Sequence, residues 1–478
     1  MKIRTILLGA FLSGLTGCSL APSYLRPALP TAATFPGENA AATEAGLRID
    51  QIGWREFFTD ARLRELIDQA LENNRDLHSA MQRVAEARGL YGIQRADRLP
   101  GFDAEATANR SRVPAVLSPT GQAVIANQYQ ATLNLSAWEL DFWGRVHSLS
   151  TAALESYLAT EEARRAIVIN LIAQVATAYL IERELDEQIA IARQTLATRE
   201  DSYRIAKRRY EVGYASKLDA SQAEALLNQA RADQASLQLQ REQNRNALTL
   251  LVGAPVVSQE SRPLSQIEQG FIRVLSAGLP SDLLLNRPDV RGAEHRLKAA
   301  NANIGAARAA FLPRIMLTGN LGTASIELGS LFGPGSTLWS IAPSLTLPIF
   351  DGGRNRANLE VSQARRDLAV ADYERTIQVA FREVADALAA RHWLTEQAAA
   401  QQATLAAQTE RASLAGLRYQ NGAAPYLEVL DAERDRFAAE QALVQVRRAL
   451  ISSSVNLYAA LGGGATDTGN TSKAPHAP

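Results

Sequence analysis

The pattern of apolar and polar residues divides the chain into long helical segments and short alternating ones. The longest uninterrupted segment runs from Val146 to Val212 and contains neither glycine nor proline. Its apolar residues recur at spacings of three and four and form more than one stripe, which predicts a helix with neighbours on both sides. At 1.5 Å per residue this helix is about 100 Å long. Because no single compact core is that wide, the sequence predicts an elongated, mainly α-helical body.

Two shorter segments switch to a period of two. Apolar and polar residues alternate clearly from Gln128 to Trp138 and more weakly from Phe102 to Ala108. A loop rich in proline, serine and glycine, Ser111 to Gly121, joins them. Such alternation indicates strands with one apolar and one polar face, so region 102–140 is predicted to be a β-hairpin.

The same order of segments occurs twice along the chain, which indicates an internal duplication. Helices predicted over Asp76–Arg98 and Asp289–Phe311 are each followed by a Leu-Pro pair, at Leu99-Pro100 and Leu312-Pro313. An amphipathic helix over Trp54–Asn74 precedes the first of them. The first copy continues with a long helix over 146–212 and a return helix over 216–252, and the second has a β-hairpin over 315–348, a long helix over 355–421 and a return helix over 426–461.

These patterns predict an ordered series of regions. They are a signal peptide (1–17), a lipidated strap (18–53), a first structural repeat (54–253), a linker (254–280), a second repeat (281–462) and a disordered tail (463–478). In each repeat the two shorter helices together nearly match the long helix in length. We therefore expect them to stack end to end beside it.

Each long helix ends in a glycine turn, and the two turns share a sequence motif. Arg209-Tyr210 precedes Gly213 as Arg418-Tyr419 precedes Gly422. Glycine adopts the left-handed backbone that ends a helix, and Pro425 has its φ already set for the first turn of the next one. Glu428 and Asp431 are three residues apart, so they share a face of that helix.

Charge and cysteine usage narrow the class of protein. Lys+Arg and Asp+Glu number 50 each, so the net charge is zero and a nucleic-acid partner has no electrostatic support.

The basic and apolar N-terminus ends in Leu15-Thr16-Gly17-Cys18 and resembles a bacterial lipobox. The resemblance implies that Cys18, the only cysteine, becomes the acylated first residue, and Ser19 favours the outer membrane. The alternative is an ordinary signal peptide with a chance cysteine. No later stretch approaches 18 apolar residues, so no transmembrane helix is predicted.

The sequence offers no catalytic constellation. No glycine-rich phosphate loop follows a predicted strand, and no cysteine site is available for a metal. The histidines show no metal-ligand spacing; they are His78, His147, His295, His392 and His476. We therefore expect a protein that is not an enzyme and has no cofactor, metal site or catalytic residue.

The two hairpins supply four amphipathic strands per chain, and periodicity alone leaves two interpretations open. In the first, the strands form a soluble sheet packed on the helices. In the second, the apolar face meets lipid, where backbone groups must all be paired and the sheet must close. Membrane barrels need at least about eight strands, so this second interpretation requires an oligomer.

Several of these features together resemble the outer-membrane factor family, the TolC-like channels of tripartite efflux pumps. They are the duplication, the Leu-Pro helix ends, the starts of the long helices at Phe142-Trp143-Gly144 and Phe350-Asp351-Gly352, the Tyr-x-x-Gly turns and the run Gly278 to Asp289. Cys18 followed by Ala21-Pro22-Ser23-Tyr24 and Arg26-Pro27 resembles the lipoprotein branch that serves resistance-nodulation-division pumps.

The resemblance implies a homotrimer in the outer membrane of a Gram-negative bacterium. Three chains would close a 12-stranded β-barrel and form a periplasmic α-barrel. The implied function is a passive exit duct for drugs or other small toxic compounds, with a periplasmic adaptor and an inner-membrane pump as partners. Two alternatives remain open: a conduit for protein secretion, and a lipid-anchored periplasmic coiled-coil scaffold without a pore.

The two turns are the candidate site. Small residues there leave room for an adaptor backbone, so we expect docking at Gly213, Ala215, Ser216, Gly422, Ala423 and Ala424. Leu427, Glu428 and Asp431 are expected to line the closed periplasmic mouth. Asp219 aligns with Glu428 in the other copy. By resemblance, Arg418 and Tyr419 tether to groups such as Asp219 and Asp431. The alternative is that acids at a helix N-terminus simply suit the macrodipole and that Arg418 is a solvated surface charge.

Overall fold

A computed structural model describes residues 19–36, 47–48, 52–119, 121–257, 263–271, 275–276 and 282–463. The predicted signal peptide, Cys18 and the tail beyond Gly463 lie outside these residues, as does part of the linker. Lipidation of Cys18 therefore stays a prediction.

The described elements follow the predicted order. They are β1 (Leu47–Arg48), α1 (Trp54–Phe57), α2 (Ala61–Asn73), α3 (Arg75–Ala96), β2 (Phe102–Val113), β3 (Val124–Glu139), α4 (Arg145–Glu211), α5 (Lys217–Val252), α6 (Leu264–Phe271), β4 (Leu275–Ser276), α7 (Leu283–Asn286), α8 (Pro288–Ala309), β5 (Arg314–Ser325), β6 (Thr337–Thr346), α9 (Arg354–Gln420) and α10 (Tyr426–Ala460). The two long helices, α4 and α9, have 67 residues each.

The predicted helix over Trp54–Asn74 is wrong as a single element, because it is broken into α1 and α2. Asp60 lies between them with extended backbone, and its carboxylate accepts a hydrogen bond from the Leu63 amide at 2.9 Å. The same carboxylate accepts a bond from the Tyr179 hydroxyl at 3.1 Å. An N-cap residue has a non-helical backbone, so the chain restarts its helix after Asp60.

The strap and the linker contain structure that their sequences did not predict. Leu264–Phe271 forms the short helix α6, and β1 pairs in parallel with β4 through Leu47 and Leu275. Elements of two residues are too short to show a period, which is why the alternation test missed them.

The chain forms two compact units that cut across the sequence repeats. One comprises residues 83–161 and 292–373 with the strap up to Ala28, and the other comprises residues 29–82 and 162–291 with the chain from Glu374 onward. Each unit therefore takes segments from both repeats, and α4 and α9 each contribute to both units.

The four longer strands form one antiparallel sheet in the first unit, in the order β2-β3-β5-β6. Each predicted hairpin is present, and β3 of the first pairs with β5 of the second. The register is continuous except for an irregularity between Leu135 and Trp138. Strands β2 and β6 stand at the two edges, and each has one side with no strand partner among the described residues.

The two faces of this sheet differ sharply in chemistry. The apolar face carries Phe102, Trp339 and Ile341, whose exposed fractions are 61%, 69% and 69%. The polar face carries Glu105, which accepts a hydrogen bond from Asn134 at 2.9 Å. Because its apolar face is exposed, the sheet does not use that face to pack on the helices. This excludes the soluble-sheet interpretation that periodicity left open.

The strap is held in the first unit by a buried carboxylate on α8. Glu294 accepts a hydrogen bond from the Tyr24 hydroxyl at 3.0 Å and forms an ion pair with Arg26 at 2.9 Å. Burial alone would raise the pKa of Glu294, but the bonds from Arg26 and Tyr24 and the charge of Lys298 together hold that pKa below its usual value. The Glu294 carboxylate is therefore charged at neutral pH and holds the strap through charge-assisted hydrogen bonds.

One helix among the described residues is long and apolar enough to be tested as a membrane span. It is α4, which contains an 18-residue window with a mean hydropathy of 1.3, of which 56% is buried. A buried core helix has the same length and composition, so this window does not identify α4 as a span.

The second unit pairs each long helix with a return helix. Arg241 of α5 contacts Asp186 of α4 at 2.7 Å, and Arg411 of α9 contacts Asp435 of α10 at 2.6 Å. In the first unit Tyr91 of α3 stacks on Tyr157 of α4 with ring centroids 6.3 Å apart. Helices α3 and α5 therefore lie against different stretches of α4.

The shorter helices meet end to end at two similar joints in the second unit. The side-chain amide of Asn74, just before α3, donates to the Leu251 carbonyl of α5 at 2.9 Å. The guanidinium of Arg287, just before α8, donates to the Ala460 carbonyl of α10 at 2.7 Å. This is the arrangement that the helix lengths predict.

A glycine ends the return helix at each joint because the neighbouring backbone approaches closely. Gly253 has a φ of +73°, and a Cβ built on it would lie 2.5 Å from the Asn73 carbonyl oxygen. Gly462 has a φ of +81°, and its Cβ would lie 2.6 Å from the Asn286 carbonyl oxygen. Both the backbone conformation and the space exclude a side chain.

Gly253→Ala should therefore destabilise the protein more than Gly213→Ala. Both glycines have a positive φ, but a Cβ at Gly213 would meet nothing within 4 Å. Gly213→Ala should cost about 1–2 kcal/mol from the left-handed backbone alone, and Gly253→Ala should add a steric cost to this. Thermal unfolding of the detergent-solubilised protein, followed by helical circular dichroism, measures both. Equal melting temperatures for the two variants would contradict the described joint.

Candidate functional site

The turns after the two long helices have the same backbone hydrogen bonds. The Tyr214 amide donates to the Arg209 carbonyl at 2.8 Å, and the Ala423 amide donates to the Arg418 carbonyl at 2.8 Å. The glycine amides complete the pattern, donating to Tyr210 and Tyr419, both at 3.0 Å. These are Schellman motifs, which satisfy the last carbonyls of a helix when glycine follows it. The sequence motif that the two turns share therefore gives both the same backbone conformation.

The two turns differ in how the next helix begins. Ser216 caps α5 and forms a reciprocal capping box with Asp219, whose carboxylate accepts from the Ser216 amide at 3.2 Å. In the second turn the return helix begins at Tyr426, as predicted, and Pro425 is its N-cap residue without a side-chain cap. Proline also has no amide hydrogen to offer. Glu428, which is equivalent to Asp219, is thus left without a capping role.

Glu428 instead faces the arginine of the preceding helix. The Arg418 guanidinium lies 3.6 Å from the Glu428 carboxylate, and it also contacts the Ala423 carbonyl at 3.5 Å. The exposed fractions of the two side chains are 58% and 37%. A pair this exposed contributes about 0–1 kcal/mol, so it biases the second turn rather than locking it.

Tyr419 joins the ends of the two long helices. Its hydroxyl accepts a hydrogen bond from the guanidinium of Arg209, which belongs to the first long helix. The Arg209 guanidinium lies 5.9 Å from the centroid of the Tyr419 ring, and the ring of Tyr426 lies 4.9 Å away. The tyrosine of the second repeat is therefore held by the arginine of the first.

Within one chain the predicted tethers have other partners. Asp219 is used by its own capping box, and Asp431 pairs with Arg434 at 3.3 Å on the same helix. Arg418 and Tyr419 thus contact neither acid, although both lie at the predicted turns. The tether of Arg418 and Tyr419 to these acids stays a prediction.

Ion pairing and close packing hold the second long helix to its return helix beside the turn. Ala412, Ala415 and Ala432 form a buried cluster, and small side chains of this kind let two helices approach closely. Next to the cluster, the hydrogen bond from Arg411 lowers the pKa of Asp435 below its usual value. The cluster and the Arg411–Asp435 pair join α9 to α10 as one hairpin.

Arg199 of α4 is a buried arginine near the same turn. Its exposed fraction is 4%. Burial lowers the pKa of the Arg199 guanidinium, and the negative charge of Glu433 opposes this shift. A cation this deeply buried is costly unless an acid lies near, so Glu433 stabilises it.

The expected docking residues all lie at the surface. Gly213, Ser216, Gly422 and Ala423 are exposed, and Ala215 and Ala424 are half-buried. Leu427, expected in the mouth, has an exposed fraction of 48%. A groove of about 580 Å³ lies beside the second turn, lined by Leu414, Leu417, Ala423 and the charged pair Arg418 and Glu428. The turns thus combine accessible backbone, small side chains and an adjoining apolar groove.

The described side chains at the turns are small, apolar or engaged in ion pairs. In the part of the chain that the structure describes, no group of three or more His, Cys, Asp and Glu could hold a metal ion. The charged groups at the turns pair with one another across two helices.

Together, the fold and this site define a membrane channel subunit. Its four-stranded sheet presents an apolar face and open edges, and its long helices end in paired, charged turns. The chain matches the sequence model of the outer membrane efflux protein family over residues 66–254 and 279–463. It belongs to this family.

Individual relatives agree with this assignment. Outer membrane protein OprJ of Pseudomonas aeruginosa is 47% identical over 450 residues, which cover 94% of each chain. The solvent efflux pump outer membrane protein SrpC of Pseudomonas putida is 46% identical over 469 residues, 97% of this chain and 99% of SrpC. The crystal structure of the open state of the MtrE outer membrane channel of Neisseria gonorrhoeae has a TM-score of 0.85 at 41% identity and covers 94% of this chain and 98% of that one. The protein is an outer-membrane channel subunit of an efflux system.

Sequence reasoning missed three contacts of this site. Arg209 was part of the shared sequence motif, but its contact with Tyr419 links positions in different repeats, and no local pattern reveals that. Arg434 lies three residues after Asp431, a helical spacing at which the pair could have been predicted. The capping box of Ser216 and Asp219 also had a visible signal, since serine followed three residues later by an acid is typical of a helix start.

Replacing Arg418 by Ser and Tyr419 by Phe should raise single-channel conductance in planar bilayers. The double variant removes the Arg418–Glu428 pair and the hydrogen bond between Tyr419 and Arg209, which together restrain the second turn. Each contact is weak, but in the trimer that the family resemblance implies, three symmetric copies acting together would bias a two-state mouth. A matched control is Arg204→Ser, which removes an exposed ion pair to Asp201 within one helix. A double variant that conducts like the parent would place the constriction elsewhere.

Proposed function

We propose that three copies of the chain assemble into one passive exit duct. Their twelve strands close a barrel in the outer membrane, and their long helices form a tube through the periplasm. The predicted domain organisation fits this arrangement, with hairpins 102–140 and 315–348 supplying the barrel. The duct itself consumes no energy and catalyses no reaction.

The sheet supports this proposal most directly. Strands β2 and β6 are unpaired at their outer edges in the single chain. The apolar face of the sheet is exposed, so it is suited to hydrocarbon. In hydrocarbon every backbone donor and acceptor must be paired, and a four-stranded sheet satisfies this only by joining further copies. Three copies give the strand number that the family resemblance implies.

The turns are the proposed periplasmic mouth and the docking place of the adaptor. Glu428 and Asp431 of three copies would place rings of carboxylates around one axis, with Leu427 beside them. Like charges that approach repel, so the Arg418–Glu428 pair and the Arg209–Tyr419 bond would help to hold the mouth closed. A periplasmic adaptor that binds the exposed turns would release them, and an inner-membrane resistance-nodulation-division pump would load the duct.

The proposed substrates are drugs or other small toxic compounds. SrpC is described as part of a solvent efflux pump, and at 46% identity it supports efflux over protein secretion. The scaffold alternative predicts hairpins that face water. Exposed aromatic and branched side chains on the sheet, such as Phe102 and Ile341, weigh against it.

Purified protein should have the mass of a trimer and conduct ions in a planar bilayer. Replacing Glu428 and Asp431 with Ala should reduce cation preference and weaken block by multivalent cations, because the carboxylate rings attract cations. Asp201→Ala is a control, because this exposed carboxylate pairs with Arg204 within the first long helix. A monomeric protein without conductance would refute the duct. A conducting trimer with unchanged ion selectivity in the Glu428 and Asp431 variant would refute only the mouth assignment.

Single cysteines at the turns should crosslink to the helical tip of the adaptor in cells. Cys18 is the only native cysteine, so a cysteine placed at Ala215 or Ala423 adds one defined thiol. Leu239 of α5 has an exposed fraction of 59% and supplies a control site away from both turns. Crosslinks that form from strand positions and not from the turns would contradict docking at Gly213, Ser216, Gly422 and Ala424.

A further inference from the structure

The apolar face of the sheet contains one pair of charged side chains. The pairing places Phe102 beside Leu135, Arg110 beside Asn127 and Arg112 beside Ile125. Because side chains alternate between faces, Arg110 and Arg112 share the face of Phe102. The other acids and arginines of the four strands stand on the polar face, at Asp103, Glu105, Glu139 and Arg314. Across these strands, which the structure describes in full, Arg110 and Arg112 are therefore the two charged residues on the apolar face.

Arg110 and Arg112 lie near the end of β2 that is farther from Phe102. At about 3.3 Å per residue, Arg112 lies about 33 Å along β2 from Phe102. A strand tilt of about 40° reduces this to about 25 Å along the membrane normal, which is the height of the apolar band of an outer-membrane barrel. Arg110 lies about one pleat lower and can extend its guanidinium outward along its stem. The pair therefore stands at one rim of the apolar band.

Chain connectivity identifies which rim this is. The ends of the four strands that lie near Phe102 connect to helices α3, α4, α8 and α9, whereas the ends near Arg112 connect through the two hairpin loops. In the proposed duct the helices extend into the periplasm, so the hairpin loops face the outside. This step rests on the proposed function. It places Arg110 and Arg112 at the headgroups of the outer leaflet.

The described protein groups do not neutralise these two charges. Both arginines are exposed, and neither is among the hydrogen bonds and ion pairs that the described residues form. In a closed barrel β2 pairs with β6 of the next copy, and β6 carries no acid between Thr337 and Thr346. The one acid at this end of the described strands and loops is Glu327, so each chain keeps a net positive charge at the rim.

We propose that Arg110 and Arg112 bind the phosphate groups of lipid headgroups in the outer leaflet. A guanidinium presents a planar fork that matches phosphate oxygens bidentately, and a charge-assisted bond of this kind is about twice as strong as a neutral one. Two arginines at alternate positions lie about 7 Å apart on one face, so one bisphosphorylated glycolipid can engage both. Three copies give the barrel a basic rim, which anchors it to anionic lipid.

The test is lipid binding by protein from which non-covalently bound lipid has been removed, measured by native mass spectrometry. The probes are bisphosphorylated lipid A and the same lipid with its phosphates removed. The parent should retain the phosphorylated lipid at least about ten-fold more strongly, and Arg110→Gln with Arg112→Gln should abolish this preference. The Lys pair at the same positions should give an intermediate preference, because it keeps the charge and loses the fork. Arg112→Gln alone gives the same test if the double variant does not assemble.

The control neutralises two exposed arginines elsewhere, Arg204→Gln with Arg208→Gln at the end of α4. It should bind like the parent, and a loss of preference there would attribute the effect to net charge and overturn the proposal. Equal retention of both lipids by the parent would overturn it too, as would displacement of bound lipid by excess inorganic phosphate, which would indicate a soluble-anion site. Conductance is recorded alongside. A parent that does not conduct counts against the duct, whereas a conducting parent without phosphate preference counts against the rim alone.

Discussion

Backbone groups in hydrocarbon must be paired, and this constraint governs the rest of the molecule. The sheet exposes apolar side chains such as Trp339 and Ile341 on one face, so it is suited to lipid, yet β2 and β6 are each unpaired along one edge. A chain with four strands cannot remove those edges alone. The duplication supplies two hairpins in one chain, and oligomerisation supplies the remaining strands. Both features follow from the same unmet hydrogen bonds.

Duplication fixed the backbone of the two turns but not their electrostatics. Both end in a Schellman motif at a glycine, and both place an acid at the third position of the next helix. Ser216 engages its acid in a capping box, whereas Pro425 has neither a side-chain oxygen nor an amide hydrogen to offer Glu428. One exchange of a capping residue therefore releases a carboxylate to pair with Arg418. The second turn acquires an ion pair across the hairpin that the first lacks.

The sequence predicted the parts of the fold that repeat over many residues. Both long helices, both hairpins and the glycine turns carry periods or breaks that one window reveals. The break at Asp60 was missed, because an N-cap aspartate is a single-residue signal within an apolar pattern of helical spacing. The bridge between β1 and β4 was hidden because two residues show no period. At the site, the positions of Arg418 and Tyr419 were predictable, but the contact of Tyr419 with Arg209 joins two repeats and has no local signal.

The joints between short helices show what a duplicated fold preserves. Gly253 and Gly462 are both required, because each takes a positive φ and faces a carbonyl oxygen within 2.6 Å of where its Cβ would be. The side chain that completes each joint differs. Asn74 donates a single amide bond, whereas Arg287 donates to Ala460 and also pairs with Asp289 and Glu383. Backbone geometry allows one solution at each joint, while a hydrogen-bond donor can come from several side chains. Divergence after duplication therefore occurs at side chains such as these, and at the turns the same freedom gives the two copies different side-chain contacts.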